Sequence, residues 1–339
     1  MISRNDLLNA YEIYLSKNEE LLVLMDDSET AYRFSKETLT WEKIAREYSW
    51  KVWNEAISGE KADEIMLEWT KEQMIHRNRL NTAIEFATKK HSGQFRKATA
   101  IPYILHPLEV LQILYSIRAD VNLLIAGVLH DTVEDTDTTL DEIRELFGDD
   151  VAMLVSSNSE DKSKSWDERK SHTINELMVA DARVKKLIMA DKLSNIRSIA
   201  YDYAVSGDAL WTRFNAPKEK QAWYYDGIVD ALYDLQYDSQ CEKAYWELMG
   251  LFKDVFVKYY LDKKNNVIYQ ASDNGGIYYL KKGCPVWNDA IAELTKDISE
   301  AITADDKPRF YDVNPIPGDA ELITRKDAEL TEDIWNSLI

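Results

Sequence analysis

The run VNLLIAGVL, residues 121–129, is apolar on all sides of a helical projection. A helix of that kind has no face for solvent, so it belongs at the centre of a fold. Directly after it, LHDTVEDTD places His130, Asp131, Glu134 and Asp135 within six positions. A buried charge without a partner costs several kcal/mol or shifts its pKa until it is neutral. One imidazole and three carboxylates at the end of a buried helix therefore call for a positive centre among them.

On a continuous helix, residues four apart share a face, which would set His130 under Glu134 and Asp131 under Asp135. Other polar residues in apolar surroundings complete the set. His106 lies in IPYILHPLEV at a helix start, and Asp191 follows the apolar stretch of VKKLIMADKLSNI. Each alone reads equally well as a core histidine or a buried salt-bridge partner. Together with HDTVEDT they read as metal ligands. Two His and two Asp form a mixed nitrogen/oxygen shell, which suits Mn, Fe or Zn better than Mg or Ca.

KKHSGQFRKATAIPY is locally basic in a chain whose formal net charge is -19. Lys89 and Lys90 read as a solvated helix end. Arg96 and Lys97 read as phosphate or base contacts, since Arg forks onto phosphate or stacks on a base. Asn195 lies one turn after Asp191 and can point into the same site. Lys220 and Tyr224 are four apart in a Trp/Tyr-rich helix; they either cover a ligand or, for Tyr224, belong to the core. The acidic balance disfavours extensive nucleic-acid contact and anionic membranes. No apolar run reaches the roughly 20 residues that span a bilayer. The N-terminus lacks the apolar core of a signal peptide. Cys241 and Cys284 lie far apart, which argues against a disulfide framework and for a reducing cytoplasm.

The expected fold is mainly α. Residues 1–77, with YEIYLSKNEELLVLM and WEKIAREYSWKVWNEAI, read as a helical N-terminal extension. Residues 78–238 form the densest helical block. Residues 239–339 read as a small α+β appendix: a helix through CEKAYWELMGLFKDVFVKYYL, two strands around the Asn-Gly-Gly turn of NNVIYQASDNGGIYYLKKG, a helix over DAIAELTKDISEAI, then loop and strand.

In the order FATKKHSGQFRK, PYILHP, LHDTVEDT, ERK and ADKLSNIRS, residues from about 80 to 236 resemble the HD hydrolase domain of RelA/SpoT homologues, the small alarmone hydrolases above all. The resemblance implies an HD-domain helical bundle with one Mn ion on His106, His130, Asp131 and Asp191. It implies Glu134 and Asp135 as the catalytic acidic pair, and Arg96, Lys97, Asn195, Lys220 and Tyr224 as nucleotide contacts. The implied reaction removes the 3′-pyrophosphate of ppGpp or pppGpp, in some members as antitoxin to a toxic alarmone synthetase. KATAIPY lacks the Gly usual before Pro-Tyr, Ser194 stands where many members have His or Tyr, and Lys220 stands for a more usual Arg. These departures are expected to bear on substrate choice and to leave the metal site untouched.

Other readings stay open: an HD phosphohydrolase acting on ppApp, on pyrophosphorylated tRNA 3′ ends or on another nucleotide, and a partner-binding antitoxin module with hydrolysis secondary. The flanks are expected to hold a toxin partner or to form a homo-oligomer.

Overall fold

The structure is a computed structural model that describes residues 2–25, 30–36, 39–46, 51, 54–97, 99–158, 162–282, 284, 286–290 and 316–336. Contacts divide the chain into two units, Met1–Thr82 and Ala83–Ile339.

The first unit corrects the all-helical expectation for residues 1–77. After a short helix α1 (Arg4–Leu8) come strands β1 (Glu12–Leu15), β2 (Glu20–Leu24), β3 (Thr30–Ser35), β4 (Trp41–Ala45) and β5 (Glu55–Ala56). They form one antiparallel sheet in the order β4-β3-β2-β1-β5. YEIYLSKNEELLVLM is thus a hairpin. Ser16 Oγ accepts from the Asn18 and Glu20 amides, and Glu19 takes a positive φ of 55° to close the turn. The apolar residues at three- and four-residue spacing also alternate. Ile13, Leu21, Val23 and Phe34 pack with Leu7, Ala62, Ile65 and Trp69, while Tyr14, Leu22, Leu24 and Ala31 form a second cluster. Short apolar runs satisfy both periods, and strand pairing decided between them. The long helix α2 (Gly59–Lys90) supplies Ala62, Ile65 and Trp69 to the first cluster and its last turns to the second unit.

The second unit is mainly helical, as expected. It runs through α3 (Leu105–Ser116), α4 (Val121–Leu129), a single turn α5 (Thr132–Asp135), α6 (Leu140–Phe147), α7 (Asp149–Ser156), α8 (Trp166–Val179), α9 (Ala182–Ser206), α10 (Lys218–Ala231) and α11 (Glu242–Phe256). Local chemistry sets many of the ends. Asp120, Thr139, Ser165 and Asp181 cap helix N-termini with their side chains, and Gly148 stops α6 at a φ of 95°. The apolar helix α4 is central. Leu123, Ile125, Ala126, Val128 and Leu129 are buried, and α4 packs against α3, α7 and α9. Through Leu187, Ile188, Met189, Ala190 and Leu193, α9 contributes a second fully buried stripe.

The α+β character of the C-terminal part is present. The helix over CEKAYWELMGLFKDVFVKYYL ends sooner than expected, at Phe256, and the chain continues directly as β6 (Val257–Asp262). β7 (Val267–Ser272) and β8 (Ile277–Lys281) form the expected hairpin, its turn closed by Gly275 at a φ of 98°. β9 (Asn288–Asp289) and β10 (Glu321–Ile323) complete a sheet in the order β10-β6-β7-β8-β9, followed by α12 (Arg325–Asn336). The helix expected over DAIAELTKDISEAI lies mostly outside the described residues. Among the described residues no helix is long and apolar enough to cross a membrane.

Candidate metal centre

Three helices of the second unit bring the four expected ligands together. His106 is the second residue of α3, and its backbone amide donates to the Tyr103 carbonyl at 2.9 Å. His130 and Asp131 occupy the break between α4 and α5. Asp191 sits mid-way along α9. The expectation of one continuous helix through VNLLIAGVLHDTVED is therefore corrected: regular helix stops at Leu129 and one turn resumes at Thr132. The break serves the site. Adjacent residues on an unbroken helix point about 100° apart, whereas His130 Nε2 and Asp131 Oδ2 here lie 3.0 Å apart.

His106, His130 and Asp191 offer ligand atoms within 4.8 Å of one another. Asp131 Oδ2 is also 3.4 Å from His106 Nε2, and Asp191 Oδ1 is 3.2 Å from His106 Nε2 and 3.7 Å from His130 Nε2. His106, His130 and Asp191 are buried, at 3%, 0% and 3% exposure. His130 Nδ1 donates to the Gly127 carbonyl at 2.8 Å, which leaves Nε2 facing the cluster. That Nε2 is buried without a hydrogen-bond partner, although Asp131 Oδ2 is near, because the approach is not aligned for one. An orphaned imidazole nitrogen between two carboxylates is a donor set that a divalent cation fits.

The electrostatics agree. Burial pushes the His130 imidazole down, but Asp131 and Asp191 outweigh it and hold it well above the ordinary histidine range. Burial likewise opposes ionisation of Asp131 and Asp191. The two His side chains overcome it for Asp131, and Lys192 with the same histidines overcomes it for Asp191, so both stay well below the usual carboxylate range.

Around the cluster, Tyr103 OH donates to Asp131 Oδ2. Asn195 Nδ2 and Lys192 Nζ each donate to Asp191 at 2.6 Å. Arg96 donates to Asn195 Oδ1 at 3.4 Å and to Ser198 Oγ at 2.9 Å, so two residues expected at the site touch. In the loop after Arg96, where KATAIPY lacks its Gly, the Thr99 hydroxyl donates to the Arg96 carbonyl and accepts from the Ile101 amide. The expectation that the Ser194 departure leaves the metal site untouched is corrected: Ser194 Oγ lies 2.8 Å from His106 Nδ1.

Two cavities meet at this point. One, of about 650 Å³, is lined by Asp131, Glu134, Asp135 and Asp191 and runs along α8. The other, of about 680 Å³, is lined by Arg96, Lys97 and His106. Tyr103, Trp166, Lys170, Lys192, Asn195 and Tyr224 line both. Each volume is in the range of nucleotide-sized pockets. Glu134 and Asp135 reach the first cavity, and the Lys162 amine stands 3.8 Å from each carboxylate. Burial, then the charge of Asp131, pushes the Asp135 carboxyl up. Tyr224 is both buried and cavity-lining, with Lys170 Nζ 4.7 Å from its ring centroid. Lys220 stands apart: it pairs with Asp167 at 2.6 Å and lines neither cavity. Tyr103, Trp166, Lys170 and Lys192 were not singled out from sequence. Tyr103, Lys170 and Lys192 were present in the quoted PYILHP, ERK and ADKLSNIRS stretches; nothing in the spacing marked Trp166.

The model of the HD domain matches residues 83–218. A guanosine-3′,5′-bis(diphosphate) 3′-pyrophosphohydrolase of Aquifex aeolicus is 37% identical over 147 residues, 41% of this chain and 21% of the relative. The chain thus spans about a fifth of that protein's length. An enzyme of the same name from Homo sapiens is 42% identical over 120 residues, 34% of this chain and 67% of the relative. The Drosophila melanogaster counterpart is 38% identical over 134 residues, 38% of this chain and 72% of the relative. With two such relatives matched over two thirds or more of their length, the chain belongs to the HD-domain family of guanosine-3′,5′-bis(diphosphate) 3′-pyrophosphohydrolases.

Proposed function

We propose that residues 78–238 hydrolyse the 3′-pyrophosphate of guanosine alarmones, converting ppGpp or pppGpp to GDP or GTP with release of pyrophosphate. The observation that carries this reading is the convergence of His106, His130, Asp131 and Asp191 beside Glu134 and Asp135 at the junction of two nucleotide-sized cavities. The relatives' names support the substrate class.

His106, His130, Asp131 and Asp191 would hold one divalent ion, with Mn favoured by the mixed donor set and Fe or Zn as alternatives. When bound, such an ion supplies Lewis acidity toward a phosphate oxygen and acidifies a water. The protein's own groups do the rest. Glu134 orients the attacking water and accepts its proton. Asp135, whose carboxyl burial keeps protonated to higher pH, donates a proton to the departing 3′ oxygen. Arg96 and Lys97 neutralise phosphate charge from the second cavity, and Asn195 ties Arg96 to Asp191. Tyr224 and the Lys170 beside it wall the nucleotide.

The test is a Mn-dependent assay on ppGpp, pppGpp and ppApp with His130→Ala as control. Pyrophosphate release from the guanosine substrates, lost in the variant, is the expected result. Release from ppApp alone would replace the base assignment, and no release from any of the three would overturn the reading.

A further inference from the structure

Behind His106 runs a line of hydrogen bonds that no part of the proposed reaction uses. His106 Nδ1 lies 2.8 Å from Ser194 Oγ, at a site where Ser194 is fully buried. Ser194 Oγ donates to Glu109 Oε2 at 2.8 Å. Glu109 Oε1 accepts from the Arg197 guanidinium at 3.0 Å. Arg197 is in turn held by Glu247 through two bonds, at 2.7 and 2.8 Å.

Counting protons along this line fixes its direction. A carboxylate paired with a guanidinium only accepts, and a serine hydroxyl has one proton to give. Ser194 spends that proton on Glu109, so toward His106 it can only accept. The His106 ring must then carry a proton on Nδ1, which makes Nε2 the nitrogen through which it can ligate a cation. That nitrogen is the one 3.2 Å from Asp191 Oδ1 and 3.4 Å from Asp131 Oδ2. The His130 ring is oriented by a different route, its Nδ1 donating to the Gly127 carbonyl, which is an acceptor under all conditions. His106 has no backbone carbonyl in that role; its tautomer depends on a side chain that could donate or accept.

We propose that Ser194, oriented by Glu109 and Arg197, is a positioning residue that locks His106 in its Nδ1–H tautomer and so prepares Nε2 to ligate a divalent cation. This rests on the metal-binding reading of the cluster. Partners of this kind typically change metal affinity by about 10- to 100-fold when removed.

The test uses the full chain and needs no substrate. Mn(II) is titrated by calorimetry into the wild type, Ser194→Ala, Glu109→Gln and His130→Ala, with circular dichroism to check folding. The ring tautomers of the Zn(II)-loaded wild type are read by two-bond proton–nitrogen NMR. The expected result is a proton on Nδ1 of His106 and an Mn(II) Kd raised about 10- to 100-fold in Ser194→Ala. Glu109→Gln also weakens binding, because its amide can donate to Ser194 and release the hydroxyl proton toward His106. Should Ser194→Ala fail to fold, Glu109→Gln, nearly isosteric and on a partly exposed side chain, decides alone. Wild-type affinity in Glu109→Gln or in folded Ser194→Ala, with binding lost in His130→Ala, overturns the positioning role and leaves the metal site standing. An unprotonated Nδ1 on His106 overturns it too. No Mn(II) binding by the wild type overturns both.

Discussion

The Tyr103 hydroxyl donates to Asp131 Oδ2 across 2.5 Å. The same ring lies 5.8 Å from the His106 ring and 5.0 Å from that of His91, so it is wedged between the two imidazoles. A hydrogen bond to a charged group contributes about 1.5–3 kcal/mol. Tyr103→Phe is therefore expected to lower kcat/KM on ppGpp by roughly 10- to 100-fold, measured against unchanged thermal stability. An undiminished rate would reduce Tyr103 to packing.

The two acidic residues of the first cavity should separate binding from chemistry. Glu134→Gln and Asp135→Asn are expected to retain Mn(II) in a calorimetric titration while kcat falls by about 10²–10⁴. Loss of metal in either variant would instead make that residue a ligand.

Metal uptake should release protons. In the metal-free protein, Asp131 and Asp191 hold His130 protonated above the ordinary histidine range. A cation must displace that proton, so affinity falls as pH is lowered and rises as it is raised. Titrations in two buffers of different ionisation enthalpy give the proton count, expected to be near one at pH 7 from His130 alone. A count of zero would mean the imidazole is already neutral.

Substrate contacts should divide by cavity. Arg96→Ala and Lys97→Ala are expected to raise KM about tenfold or more, in keeping with a lost charge-assisted bond. Lys220→Ala should leave KM within about twofold, because an exposed ion pair with Asp167 contributes little. Steady-state kinetics on ppGpp decide, and a large effect at Lys220 would mean that its pairing with Asp167 opens when substrate binds.

Gly127 supports the site from behind. A methyl group there would collide with the Leu114 side chain, and the Gly127 carbonyl is what orients His130. Gly127→Ala is expected to cost about 1–3 kcal/mol in urea unfolding and to weaken Mn(II) binding at the same time. A stability loss with unaltered affinity would show that α3 moves and the His130 contact survives.

How much of this was legible depended on which physical signal each residue carried. His106 and Asp191 stood out because a charged or titratable side chain in an apolar stretch must be compensated, wherever its partner lies in the chain. Ser194 was not: a neutral hydroxyl inside a helix has no burial penalty large enough to mark it, and its partner Glu109 is 85 residues away. The N-terminal sheet was misread because Tyr14, Leu22 and Leu24 alternate with Ile13, Leu21 and Val23 over runs too short to exclude a helical period. Lys220 looked like a ligand contact through its spacing from Tyr224, and only the position of Asp167 on α8 shows where its charge goes.

The break in the chain between α4 and α5 sets what sequence change this site can absorb. His130 and Asp131 lie in it with their facing atoms 3.0 Å apart, and Glu134 and Asp135 follow on the single turn beyond, where the Asp135 amide bonds the Asp131 carbonyl. One inserted or deleted residue between 130 and 135 would swing the two acids about 100° around that turn and shift them by about 1.5 Å. Side chains in this hexapeptide can be exchanged and tested one at a time. Its length cannot be altered without moving Glu134 and Asp135 out of step with His130 and Asp131.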